Sequence, residues 1–147
     1  MPAESDQRGE DEVSALDETI HLTISTAELN SLAADALRRR FTDRFDKALD
    51  LLEKNSVKRY LFRPSSRVIW AVHGRTQVYQ VIPASNYCSC DDFYFRAMGD
   101  EKRVCYHIIA QRLAFALHKY ETVELADSAY ARITRKWRPR RTKSISP

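Results

Sequence analysis

Glycine is scarce in this 147-residue chain, with three in all, and no G-x-x-x-x-G-K-[ST] motif occurs. That excludes a P-loop, so any ATPase activity must come from a partner. Long apolar runs are missing too. No stretch approaches the roughly 20 apolar residues of a membrane span, and the first residues are acidic rather than basic and then apolar as in a signal peptide. Cytoplasm or nucleus is the expectation. Cysteine is sparse and odd in number, so a disulfide framework across the three would leave one thiol unpaired. Length sets a further limit: 147 residues, 44% of them hydrophobic, suffice for one domain and fall short of two comfortable cores.

All three cysteines fall in one compact pattern, Cys88-Ser89-Cys90, fourteen residues, then Cys105-Tyr106-His107. Three thiolates and an imidazole make the Cys₃His ligand set of a closed structural zinc site, which leaves no open position for substrate. Cys88 and Cys90, two apart on an extended segment, project to one side. Within a regular helix the same separation turns side chains roughly 200° apart. The spacing therefore predicts Cys105 just before a helix or in its first turn, with His107 slightly further in. A helix start also stabilises a thiolate. One Zn²⁺ with three thiolates sums to −1, which Lys102 and Arg103 stand close enough in sequence to offset.

The net charge of +4 hides an asymmetry: residues 1–18 carry seven acids against Arg8 alone, and residues 132–143 carry seven Lys or Arg and no acid. The acidic lead over 1–24, polar and aperiodic at its start, reads as disordered. Ser25 and Glu28 form a capping box that opens an amphipathic helical segment over 25–54. Its apolar stripe runs through Leu29, Leu32, Ala33, Ala36, Leu37, Phe41, Phe45, Ala48, Leu49 and Leu52. Arg38, Arg39 and Arg40 face away from it as a solvated surface. At about seven turns and roughly 36 Å, part of this face is a candidate for docking on another protein.

Residues 57–63, 67–73 and 77–82 read as three short strands, with turns at Pro64-Ser65-Ser66 and Gly74-Arg75-Thr76. Asp91 and Asp92 open a short helix through Met98, a second helical stripe covers 104–120, and a final helix is expected from Glu124 to Arg135. Tyr87, Phe93, Tyr94, Phe95 and Tyr106 interleave with the zinc ligands and read mainly as core around the site. His21, His73 and His118 have no second ligand at useful spacing and take no metal role. In the tail, Arg135, Lys136, Arg138, Arg140, Arg141 and Lys143, with Trp137 among them, are candidate DNA-binding residues or a nuclear-localisation run.

A C-x-C and C-x-H pair preceded by a strand meander and followed directly by a helix resembles the SWIM-type zinc finger. His107-Ile108-Ile109-Ala110 matches the C-x-H-x-x-A extension of one SWIM branch, the small subunit of the Shu complex, a eukaryotic mediator of homologous recombination. Ala48-Leu49-Asp50-Leu51-Leu52 before the meander and Tyr87-Cys88-Ser89-Cys90 before an aromatic run are similar to it as well. The resemblance covers about residues 45–120. It implies a small zinc-stapled SWIM module (antiparallel β-meander plus helix) over 55–122. The residues themselves add the long amphipathic helix before it and a short helix and basic tail over 123–147, which completes an α+β fold. The two termini offer no match to the family. The resemblance matches Cys88, Cys90, Cys105 and His107 to the ligands of one structural Zn²⁺. Ala110 matches the small residue after them, and three positions beyond His107 a larger side chain there would press on the site.

The resemblance further implies a nuclear protein without catalytic activity, small-molecule substrate or membrane association. Its partner would be a RecA-fold recombinase paralogue, in an assembly that promotes recombinase filaments on single-stranded DNA, touched directly or through that partner. Two other readings stay open. The basic tail and aromatics suit a self-sufficient DNA-binding zinc module, and SWIM modules beside RING fingers suggest a ubiquitin-pathway adaptor.

Overall fold

The computed structural model describes residues 4–90 and 104–137. Its centre is a five-stranded mixed sheet in the order β4-β3-β2-β1-β5. The expected meander forms from β1 (Val57–Arg63), β2 (Arg67–His73) and β3 (Val78–Ile82), paired antiparallel with Val57 opposite Val72 and Trp70 opposite Val81. A short β4 (Tyr87–Cys88) extends it, with Cys88 opposite Val81. Alternation along β1 and β2 gives the sheet two apolar faces.

One face carries Val57, Val72, Trp70, Val81 and Cys88, and helices cover it. These are α1 (Glu4–Thr26), α2 (Ser31–Phe41), α3 (Asp43–Glu53) and α4 (Tyr106–Leu117). The last is the central core helix, with Ile108, Ile109, Ala110, Leu113 and Ala114 fully buried. Each large side chain so enclosed contributes about 1.5–3 kcal/mol by removing apolar surface from water. The other face carries Phe62, Ile69 and Ala71, covered by the C-terminal helix α5 (Tyr130–Lys136) and by Trp137.

Four expectations are corrected. The acidic lead, read as disordered over 1–24, is helical over Glu4–Thr26, and it docks through Leu16, Ile20 and Thr23, all buried. Its acids are in part structural: Glu12 pairs with Arg44, and Asp17 with Arg112. The capping box also fails. The Ser25 hydroxyl bonds back to the His21 carbonyl inside α1, and the next helix starts at Asn30, whose Oδ1 accepts from the Ala33 N–H at 2.8 Å.

The single long helix over 25–54 is divided at Thr42, which takes a left-handed φ of 52°. A β-branched residue there costs roughly 1–3 kcal/mol, and the apolar stripe explains why it is tolerated. A straight rod would run past the core, whereas two shorter helices bury Leu37, Phe41, Phe45, Ala48 and Leu52 together. The fourth correction concerns the helix expected from Glu124. Residues Glu121–Ala126 form β5, parallel to β1, and helix begins only at Tyr130. Val123 and Leu125 alternate inward, while Glu121 and Glu124 pair with Lys58 at 2.9 Å and Arg63 at 3.0 Å across the ladder. The segment from Asp91 to Met98, with Phe93, Tyr94, Phe95, Lys102 and Arg103, lies outside the described residues.

Candidate metal centre

Cys88 ends β4 on the helix-covered face of the sheet. Beyond it the ladder changes partner type. The Ser89 N–H donates to the Gln80 carbonyl at 3.0 Å, but the Gln80 N–H donates back to the Ser89 hydroxyl at 2.9 Å rather than to a backbone oxygen. The side chain stands in for the ladder acceptor, which frees the backbone to turn after Ser89. Cys90 thereby comes to the same side as Cys88, and all three residues are buried. Sequence spacing alone pointed to the two sulfurs and not to the serine between them.

The second half-site is built on the start of α4. Cys105 is its N-cap, in extended backbone at φ −78° and ψ 163°, and His107 is the second helical residue. The non-helical cap residue escapes the roughly 200° divergence of a helical i, i+2 pair. The Cys105 sulfur and His107 Nδ1 lie 4.0 Å apart.

The ligand atoms of Cys88, Cys90, Cys105 and His107 all lie within 4.8 Å of one another, and all four residues are buried. With Zn–S near 2.3 Å and Zn–N near 2.0–2.1 Å, a tetrahedral shell puts its donors about 3.5–4 Å apart. The cage has the size and donors for zinc. Its electrostatics ask for a cation: burial pushes the Cys105 thiol up to about 12 and raises that of Cys88 further. Hydrogen bonds from the Cys105 and Cys88 thiols hold Cys90 down. Three thiols in so dry a cluster ionise together only when a metal supplies the compensating charge. Cys88, Cys90, Cys105 and His107 therefore form a candidate zinc site, closed by four protein donors.

Two tyrosines flank the imidazole. Tyr79 lies 4.4 Å and Tyr106 4.1 Å from the His107 ring, centroid to centroid. Gly74 makes room for the first: a Cβ there would meet the Tyr79 ring and the Gln77 carbonyl, both at 3.1 Å. Lys47 covers the Tyr106 ring at 5.5 Å. Tyr79 reads in the sequence only as a strand residue, and Gly74 only as a turn. Their part in the site comes from the hairpin geometry.

The remaining candidates sit elsewhere. Ala110 is fully buried on α4. Arg135 and Lys136 are in the last turn of α5, on the opposite face of the sheet from the zinc ligands. Arg138, Arg140, Arg141 and Lys143 lie outside the described residues. Trp137, placed by sequence in the tail, is only 4% exposed and packs on Tyr60 at 4.9 Å. His73 bonds the Tyr60 hydroxyl at 2.9 Å, His118 is the left-handed C-cap of α4, and His21 is exposed on α1. Among the described residues no second cluster of metal-ligating side chains forms.

Comparison with known proteins finds relatives of two kinds. The zinc finger SWIM domain-containing protein 7 homolog of Dictyostelium discoideum is 33% identical over 85 residues, which are 56% of this chain and 54% of that protein. The chain thus spans about half the length of this curated relative. An uncharacterized protein of Archaeoglobus fulgidus is 32% identical over 101 residues, 69% of this chain and 80% of that protein. No family model matches the chain, and no solved structure does.

Proposed function

The chain belongs to one family with the Archaeoglobus fulgidus protein and is a relative of a SWIM zinc-finger protein, and from that premise we propose that it is a non-catalytic, zinc-binding subunit of a Shu-type complex. In this reading it pairs with a RecA-fold recombinase paralogue and promotes assembly of recombinase filaments in homologous-recombination repair. It acts in the nucleus of a cell that has one. The observation that carries the proposal is the gathered C-x-C and C-x-H set followed by the fully buried Ala110. That combination matches the C-x-H-x-x-A extension of the Shu branch. Zinc here is a staple: four protein donors complete its shell, so its chemistry is to hold β4 against α4.

Affinity purification of the tagged chain from native extract, with nuclease treatment, tests the pairing. A RecA-fold ATPase recovered in stoichiometric amount after nuclease supports it. Recovery of chromatin proteins only when nuclease is omitted would instead favour a self-sufficient DNA-binding module. That second reading draws on the basic residues Arg135, Lys136, Arg138, Arg140, Arg141 and Lys143.

A further inference from the structure

Val104 immediately precedes the ligand Cys105, and side chains from two distant helices hold both of its backbone polar groups. Its N–H donates to Glu12 Oε1 at 3.1 Å, and its carbonyl accepts from Arg44 Nη1 at 2.7 Å. Arg44 and Glu12 pair in a fork at the same time, Nη1 to Oε1 at 3.1 Å and Nη2 to Oε2 at 2.9 Å. The ring so closed joins α1, α3 and the ligand segment. It is largely dry: the Arg44 and Glu12 side chains are 13% and 12% exposed, and Val104 is 2% exposed. Arg44 also lies over the Phe41 ring at 5.2 Å.

The Val104 carbonyl shares a rigid peptide plane with the Cys105 N–H. Clamping that oxygen through Arg44, and the Val104 N–H through Glu12, fixes the planes on either side of Val104 and sets the position of the Cys105 Cα. Cys105 is the N-cap of α4 without a side-chain capping bond of its own. Its sulfur therefore depends on the preceding backbone for its aim at His107. Burying an ion pair is costly in desolvation and seldom justified by stability alone. Beside a metal ligand it acts as outer-shell support, which orients donors and tunes affinity.

We propose that Glu12 and Arg44 are positioning residues for the zinc site, so that docking of α1 and metal affinity form one linked equilibrium. By reciprocity, zinc strengthens α1 docking by the same factor by which docked α1 strengthens zinc binding. The inference rests on the zinc reading and on no particular partner. Asp17 supplies an internal control, because it ties α1 to Arg112 of α4 without touching Val104.

The test uses the full chain, with zinc affinity read by competition against a chromophoric chelator and site geometry by the absorption of the Co²⁺-substituted protein. E12Q and R44K are each expected to weaken zinc about 10- to 100-fold, the usual range when an outer-shell partner is removed. The double variant should lose little beyond either single one, because all three groups belong to one ring. D17N should change zinc affinity far less than either ring variant, because its half-exposed pair contributes little to α1 docking. Wild-type affinity in folded E12Q or R44K would overturn the role, as would a D17N loss as large as that of E12Q, which would show that the ring positions the ligand segment no better than any other contact of α1. If neither ring variant folds, amide exchange of the wild-type chain decides. Metal removal is expected to raise exchange along α1, and α1 exchange indifferent to zinc rejects the linkage. A wild-type chain that holds no stoichiometric zinc would overturn the metal centre and the positioning role together.

Discussion

The Cys105 sulfur and His107 Nδ1 face each other 4.0 Å apart across the first turn of α4, although only His107 has helical backbone. Together with Cys88 and Cys90 they hold the sheet and its central helix at one point. Structural zinc commonly brings about 10–16 kcal/mol of binding free energy linked to folding, as much as the total stability of a typical domain. C88S and C105S are therefore expected to lose zinc and the cooperative thermal transition together. Either variant with wild-type zinc content and melting temperature would remove its cysteine from the ligand set.

Ser89 supplies a side-chain acceptor to the β3–β4 ladder, from the Gln80 N–H at 2.9 Å. S89A should cost about 1 kcal/mol by leaving that part-buried donor unpaired. It should also disturb the thiolate-to-metal charge-transfer band of the Co²⁺ form, since Cys90 depends on the turn that Ser89 permits. A normal band with lowered stability would mean that Ser89 braces the hairpin without aiming Cys90.

Ala110 is fully enclosed between the sheet and the helices packed on it. A110L is expected to destabilise the chain by about 1–3 kcal/mol through overpacking, while the four ligands remain. Thermal unfolding of the zinc-loaded protein measures this. An unchanged midpoint with unchanged partner recovery would free Ala110 of any structural constraint.

Burial lowers the pKa of His73 below 6.5, with Lys58 acting in the same direction and Glu121 opposing it. The folded chain thus favours the neutral ring, whose Nε2 shares a hydrogen bond with the Tyr60 hydroxyl. Protonation is easier in the unfolded chain, so this contribution is fully present above pH 6.5 and is lost as pH falls through the lowered folded value. H73Q should flatten that part of the stability–pH curve relative to wild type. Superimposable curves would show that the site does not titrate differently on folding.

Trp137, the last described residue, is buried in the core on the far face of the sheet. W137A should cost about 3–5 kcal/mol, as large-to-small changes at buried aromatics do, whereas removing residues 138–147 should leave stability intact. If the tail binds single-stranded DNA, its removal should lower the salt dependence by about 0.7 log units per log unit of salt for each phosphate it had neutralised. A truncation at 132 would confound the two effects, because it also removes the buried indole.

The four members of the candidate zinc site were legible as a group because coordination chemistry is local: the residue types and the i, i+2 spacings restrict both half-sites before any fold exists. The three strands of the meander were legible for a similar reason, since alternation and turn residues act over a few positions. The same geometry placed Cys105 just before a helix or in its first turn, because Cys105 and His107 cannot converge inside one regular helix, and the structure starts α4 at Tyr106. Other features depended on what distant residues bring together. The acids of the lead read as solvated charges until Arg44, 32 residues away, turned Glu12 into half of a buried fork. The stripe through Phe41 and Phe45 has unbroken helical spacing, and it is the limited extent of the core beneath it that breaks the helix at Thr42. Glu121–Ala126 has too short a pattern to choose between strand and helix, and the open edge of β1 makes the choice. Trp137 looks like part of a basic run, yet the apolar face of Phe62, Ile69 and Ala71 draws it into the core. Local chemistry and periodicity are written in neighbouring residues, whereas burial is a property of what the rest of the chain brings to meet them.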